Sequence, residues 1–211
     1  MIGRLIARDV RRGFTGAAWL PIAFFLLVAA LMPFAIGPDA RLLGRVGSGA
    51  LWVAALTAAL LPIERLVEPD RADGVLDQLA LHGSLDEMVA AAKIAAHWLT
   101  FAPLLLLAAL PASALLGMDG PSLVRTELAL TLGTPGLAAL TVAVAALTAG
   151  LPRAGSLGGV LLFPLAVPLL IFGAAGSVGS SGALLLEAAV SLLLTAGAPF
   201  VAGAAIRASR S

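Results

Sequence analysis

The 211-residue chain contains no cysteine. That excludes a disulfide framework, a thiolate metal site and a thiol nucleophile. Charge is also scarce. Asp, Glu, Lys and Arg make up only 12% of the residues, against about 25% in a soluble domain. So few charges cannot cover a water-exposed surface. The net charge of +1 gives no global attraction for nucleic acid. No G-x-x-x-x-G-K-[ST] phosphate loop occurs, so the chain cannot supply an ATPase centre of that kind.

What is present is apolar sequence. Hydrophobic residues make up 60% of the chain, and the mean hydropathy is +1.04. Uncharged runs cover 14–38, 46–63, 94–118, 128–152, 154–186 and 188–206, each of a length that reads as a membrane span. They are continuously apolar, whereas barrel strands would alternate over about ten residues. The stretch "GAAGSVGSSG" at 173–182 reads as a Gly/Ser loop. The expected fold is therefore an all-α membrane protein forming a single transmembrane domain over 1–211. Its spans are placed near 19–37, 46–63, 97–117, 128–150, 156–173 and 183–206. The first run follows a long charged stretch and has no clean small-residue cleavage site, so it reads as a mature span rather than a signal peptide.

Positive charge sets orientation. With both termini inside, segments 1–18, 64–96, 151–155 and 207–211 hold ten basic residues and the outer loops only Arg41, Arg45 and Arg125. The opening "MIGRLIARDVRRGF" places Ile2, Leu5, Ile6 and Val10 at helical spacing. It predicts a helix lying in the interface, its arginines near anionic lipid phosphates. Ala50, Ala54 and Ala58, and likewise Gly155 and Gly159, stand four apart and allow close helix approach. Pro164 and Pro168 predict an irregular fifth span.

Seven of the twelve acidic residues fall in "ERLVEPDRADGVLDQLALHGSLDEMVAAAKIAAHW" at 64–98. Two short helices are readable there. The first has Asp73 as N-cap and Gly83 as its stop. The second opens with "SLDE", a capping box of Ser84 and Glu87, with Asp86 and Glu87 at the positive end of the helix dipole. Capping leaves Glu64, Glu68, Asp70 and Asp77 unexplained. Three readings remain: a wet connector, a carboxylate cluster built on Asp70, Asp73 and Asp77, and a docking element for a soluble partner.

This segment resembles the cytoplasmic segment of the cytochrome c maturation permease family, CcmB. So do "FAIGPDARLLGRVGSGALWVAAL" at 34–56 and "LALTLGTPGLAAL" at 128–140. The order and spacing of the pieces fit along nearly the full chain. One departure is "LHGSLDE", where the family often carries proline around 82–84. The resemblance implies the transmembrane subunit of an ABC-type complex in the bacterial inner membrane, not itself an enzyme. It implies a CcmA-type ATPase, CcmC- and CcmD-type membrane subunits and the haem chaperone CcmE as partners. The chain itself would hold no cofactor, haem being handled by the complex. Under this resemblance 64–96 is the coupling element for the ATPase. Asp73, Asp77 and Gln78 offer polar contacts, Leu76 and Leu79 offer an apolar anchor, Gly74 belongs to the same coupling set, and Asp70 stands at the edge. An exporter of another amphiphile and a non-transporting assembly subunit are the competing functions.

Other residues invite chemistry. His82 and His97 are possible axial haem ligands, but both map to the inner side. His97 beside Trp98 reads equally as a packing pair. "RAGSLGG" at 153–159 faintly resembles a serine-protease motif around Ser156. Such an enzyme needs a histidine within reach, and small residues for tight packing explain the motif better. Glu127 and Glu187 fall near the outer ends of spans four and six and are expected to reach water there. Asp39, Arg41 and Arg45 are placed for an outer-face partner.

Overall fold

Helix accounts for every regular element in the computed structural model, which describes residues 2–15, 19–37 and 39–210. The chain order is α1 (Ile2–Thr15), α2 (Trp19–Ile36), α3 (Ala40–Leu60), α4 (Ile63–Leu66), α5 (Glu68–Ala72), α6 (Val75–Leu81), α7 (Asp86–Leu115), α8 (Gly120–Thr148), α9 (Ala154–Ser177) and α10 (Ser181–Ala208). Residues 1 and 16–18 of the expected interfacial segment, and the terminal residue 211, lie outside the described set.

Six of these helices, α2, α3 and α7–α10, are long and apolar enough to cross a membrane. The protein is a multi-pass membrane protein. Helices α3, α7 and α8 begin several residues ahead of the apolar stretches that announce them. Asp39 accepts from the Arg41 and Leu42 amides, so α3 starts at residue 40 and takes in Arg41 and Arg45. Asp119 caps α8 through the Ser122 amide, with Pro121 in the first turn. The third span is the later part of a 30-residue helix that begins at Asp86. Despite Pro164 and Pro168, α9 is one continuous helix, against the expectation of an irregular span.

The helix α8 is the axle. It packs against α10, α9, α7 and α3, and its span is the most buried of the six. At its side Trp52 of α3 is fully buried, and a Cβ at either Gly133 or Gly173 would overlap the Trp52 ring. The indole N–H donates to Ser177 Oγ at 3.3 Å. These contacts explain why "GAAGSVGSSG" is mostly helix rather than loop. Gly173 and Ser177 form a socket for Trp52, and only 178–180 connect α9 to α10. Leucines and phenylalanines such as Leu185, Leu192, Leu193 and Phe200 cover the outside, as lipid contact requires.

With an even number of spans, both termini emerge on one face. Here α1 packs on α7 rather than lying apart. Leu5 is buried, and Ile2 and Ile6 pack on the core. The apolar stripe of the predicted interfacial helix is thus spent on protein.

Candidate functional site

The acidic segment 64–98 joins the other chain segments on the termini face, one carboxylate at a time. Glu64 accepts the Gly155 amide at 2.8 Å, in the first turn of α9, where the helix dipole favours an anion. Glu68 accepts the Gly150 amide at 2.6 Å and pairs with Arg71 at 2.8 Å. Asp70 binds Arg8 and Arg12 of α1 and Lys93 of α7. Asp86 pairs with Arg210 and Glu87 with Arg207, both at 2.6 Å or less, fixing the end of α10. Five of the seven acids therefore hold the termini face together.

Asp70 is the hub of this arrangement and is only 2% exposed. Its position at the edge of the segment was misleading: α1 folds over it, so Arg8 and Arg12 reach protein instead of lipid phosphate. Lys93, the chain's single lysine, is 3% exposed. Its Nζ lies 2.6 Å from Asp70 Oδ2 and 3.4 Å from Asp9, and it donates to the Leu66 carbonyl at 2.9 Å. Burial by itself would raise the Asp70 carboxyl. Lys93 and Arg8 outweigh it and hold the group below the ordinary carboxylate range. Sequence reasoning missed Lys93. The signal was the chain's lone lysine, set between apolar residues in "MVAAAKIAA" seven residues into α7.

The remaining two acids, Asp73 and Asp77, are exposed and unpaired among the described residues, as is Gln78. Asp73 is not the cap of α6. It ends α5, and Gly74 in the left-handed region (φ +69°) turns the chain into α6. Gly83 stops α6 as expected. Its amide bonds Ala80 and the Ser84 amide bonds Leu79, a Schellman closure at φ +75°. Leu85, not Ser84, stands at the N-cap of α7, and Glu87 turns to Arg207.

The expected apolar anchor also sits differently. Leu76 is 2% exposed, and Leu79 packs partly on the same core, while Arg210 holds the Leu76 carbonyl at 3.1 Å. Both leucines fasten α6 to the membrane body. The exposed apolar residues beside Asp77 and Gln78 are Leu81, 87% exposed, and Leu85. Between α1, α5 and α7 lies a cavity of 340 Å³, lined by Arg12, Arg65, Asp70, Lys93, His97 and Phe101 among others.

The two histidines part company. His82 is exposed and its Nδ1 bonds the Gln78 carbonyl at 2.7 Å. His97 is buried and stacked on Phe101 at 4.9 Å. Ser156 Oγ donates to the Arg153 carbonyl, a local helix-start contact. Glu127 is half-buried, with Oε1 unbonded. Glu187, expected at the water boundary, is fully buried. No three His, Asp or Glu side chains among the described residues converge as a metal site would require.

A family model described as CcmB protein matches residues 1–209. The chain belongs to the CcmB family. Heme exporter protein B of Rhodobacter capsulatus is 41% identical over 211 residues, spanning 96% of this chain and 97% of its own. The protein of that name from Escherichia coli K12 is 42% identical over 217 residues and 99% of both chains. That of Haemophilus influenzae is 43% identical over 196 residues, covering 90% of this chain and 88% of its own. For a CcmB-family chain, the termini face then has two layers. Asp70, Lys93 and Leu76 fix the 64–86 segment, and Asp73, Asp77 and Gln78 stand free on its surface.

Proposed function

We propose that this chain is the transmembrane subunit of a haem-export complex serving cytochrome c maturation. It would lie in the bacterial inner membrane with both termini in the cytoplasm. The observation that carries this reading is the end-to-end match to proteins named Heme exporter protein B, on a chain with six candidate spans. Lacking a phosphate loop, the chain would rely on a separate CcmA-type ATPase and act without catalytic residues of its own. CcmC- and CcmD-type subunits and the haem chaperone CcmE complete the proposed assembly.

The ATPase would dock on α5–α6. Asp73, Gly74, Asp77 and Gln78 supply the polar surface there, while Leu76 and Leu79 hold that surface rigid from beneath. Rigidity matters because a push on α6 must reach the spans. The Asp70–Lys93 pair and the unbroken α7 give it a direct route into the third span. The proposal is tested in a host from which this chain has been removed. Haem-stained c-type cytochromes should vanish and return with the full-length chain. Normal cytochromes without it would contradict the proposal and leave export of another amphiphile.

A further inference from the structure

Glu187 lies nearly two turns inside α10 and is 0% exposed. Neither carboxyl oxygen has a hydrogen-bond partner, and no cation pairs with it among the described residues. The pocket it fills is made by missing side chains. A Cβ at Gly133 would overlap both Glu187 Oε1 and the Trp52 ring. One turn further on, Ser191 Oγ accepts the Gly136 amide at 2.9 Å, and a Cβ at Gly136 would press on the Ser191 backbone. So α8 and α10 meet along a narrow seam, Gly133 and Gly136 against Glu187 and Ser191. Trp52 closes the third side, its N–H already engaged by Ser177.

The elements packed around this seam bring no countercharge. Helix α9 has no titratable side chain over its whole length. The nearest on α8 are Arg125 and Glu127, roughly two turns toward its start, and on α3 Arg45, about two turns from Trp52. On α10 there is none other before Arg207. Helix α7 carries Asp86, Glu87, Lys93 and His97, all in its first half toward the termini face. An ionisable side chain at membrane depth marks a functional site by default.

We propose that Glu187 is a proton-binding site inside the membrane body, and that its proton holds the α8–α10 seam closed. With the proton bound, the carboxyl is neutral and sits beside Gly133 and the Trp52 ring. On release, the acid becomes a carboxylate and one proton passes to water. No other reactant is needed. The anion then requires water or a cation, and the closed seam offers neither. The helices must part to hydrate it, with Gly133 and Gly136 as the points where α8 lets go.

The test uses the full-length protein in lipid nanodiscs. Infrared spectra at neutral pH should show the carbonyl stretch of a protonated carboxylic acid. That band should persist in Glu127→Gln and be lost in Glu187→Gln. Should the Gln variant not insert, Glu187→Met of similar bulk must lose the same band. Identical spectra for wild type and the Glu187 variant would overturn the site. For the seam, Trp19→Phe and Trp98→Phe leave Trp52 as the single tryptophan. Quenching of Trp52 by acrylamide should rise several-fold as pH is raised through the loss of the band, and stay flat in Glu187→Gln. Quenching that ignores pH while the band disappears would overturn the seam's dependence on the proton.

Discussion

Lys93 Nζ and Asp70 Oδ2 stand 2.6 Å apart, both side chains only 3% exposed. The pair joins α5 to α7, and Arg8 and Arg12 extend it to α1. A buried ion pair adds little net stability when compared with apolar substitutes, yet removing one partner is costly. The acids of the 64–98 segment are therefore largely internal fasteners.

Asp70→Ala should destabilise the protein by roughly 3–5 kcal/mol, because it leaves a buried lysine and two arginines without their shared anion. Lys93→Met should cost less, since Arg8 and Arg12 still neutralise Asp70. Asp77→Ala, at an exposed and unpaired site, should stay within about 0.5 kcal/mol. Thermal unfolding of the detergent-solubilised protein ranks the three.

Acid should loosen the same face. Asp70 is held below its ordinary range, so its contribution is present above the unfolded pKa of about 3.9 and is lost as pH falls through the folded value. Glu87, lowered mainly by its hydrogen bond from Arg207, follows the same sign. Hydrogen exchange should show α1 and the end of α10 protected at pH 6 and losing protection below about pH 4, before the spans do.

Much of this was readable in advance. Six apolar runs announced six spans, and Gly83 announced the end of α6. What failed was anything that depended on which side chain lay opposite. Asp70 looked peripheral because its partners are some 60 residues away in α1. Leu76 looked like an exposed anchor because helical spacing alone does not say which face is covered. Glu187 looked wet because a span's end cannot be located to within two turns by hydropathy. Gly173 and Gly176 read as loop because their missing side chains have meaning only against Trp52 and Leu184.

The glycine sockets make a separate prediction. Gly133→Ala and Gly173→Ala should each cost about 1–3 kcal/mol, since the added methyl meets the fixed Trp52 ring. Gly182 and Gly197 have open space at the same position. Alanine there should be neutral or slightly stabilising, by up to about 1 kcal/mol of helix propensity. Unfolding midpoints of the four variants separate the cases.

Orientation is checked by reporter fusions. Those at Ser84 and Arg210 should report cytoplasmic, and those at Asp39 and Ser180 the opposite side. An external Ser84 would leave no route for a cytoplasmic ATPase to α6.

Segment 64–86 is fixed to the membrane body by Asp70, Lys93 and Leu76, and in the proposed assembly its exposed face is read by the ATPase. The direct measurement is co-purification of the ATPase with Asp73→Ala, Asp77→Ala and Gln78→Ala combined, each preparation checked for normal insertion and unfolding midpoint. Loss of a polar contact set at an interface core typically exceeds 2 kcal/mol, so recovery should fall at least about tenfold while the fold is unchanged. Full ATPase recovery on an intact triple variant would contradict the claim and reduce the segment to a fastener.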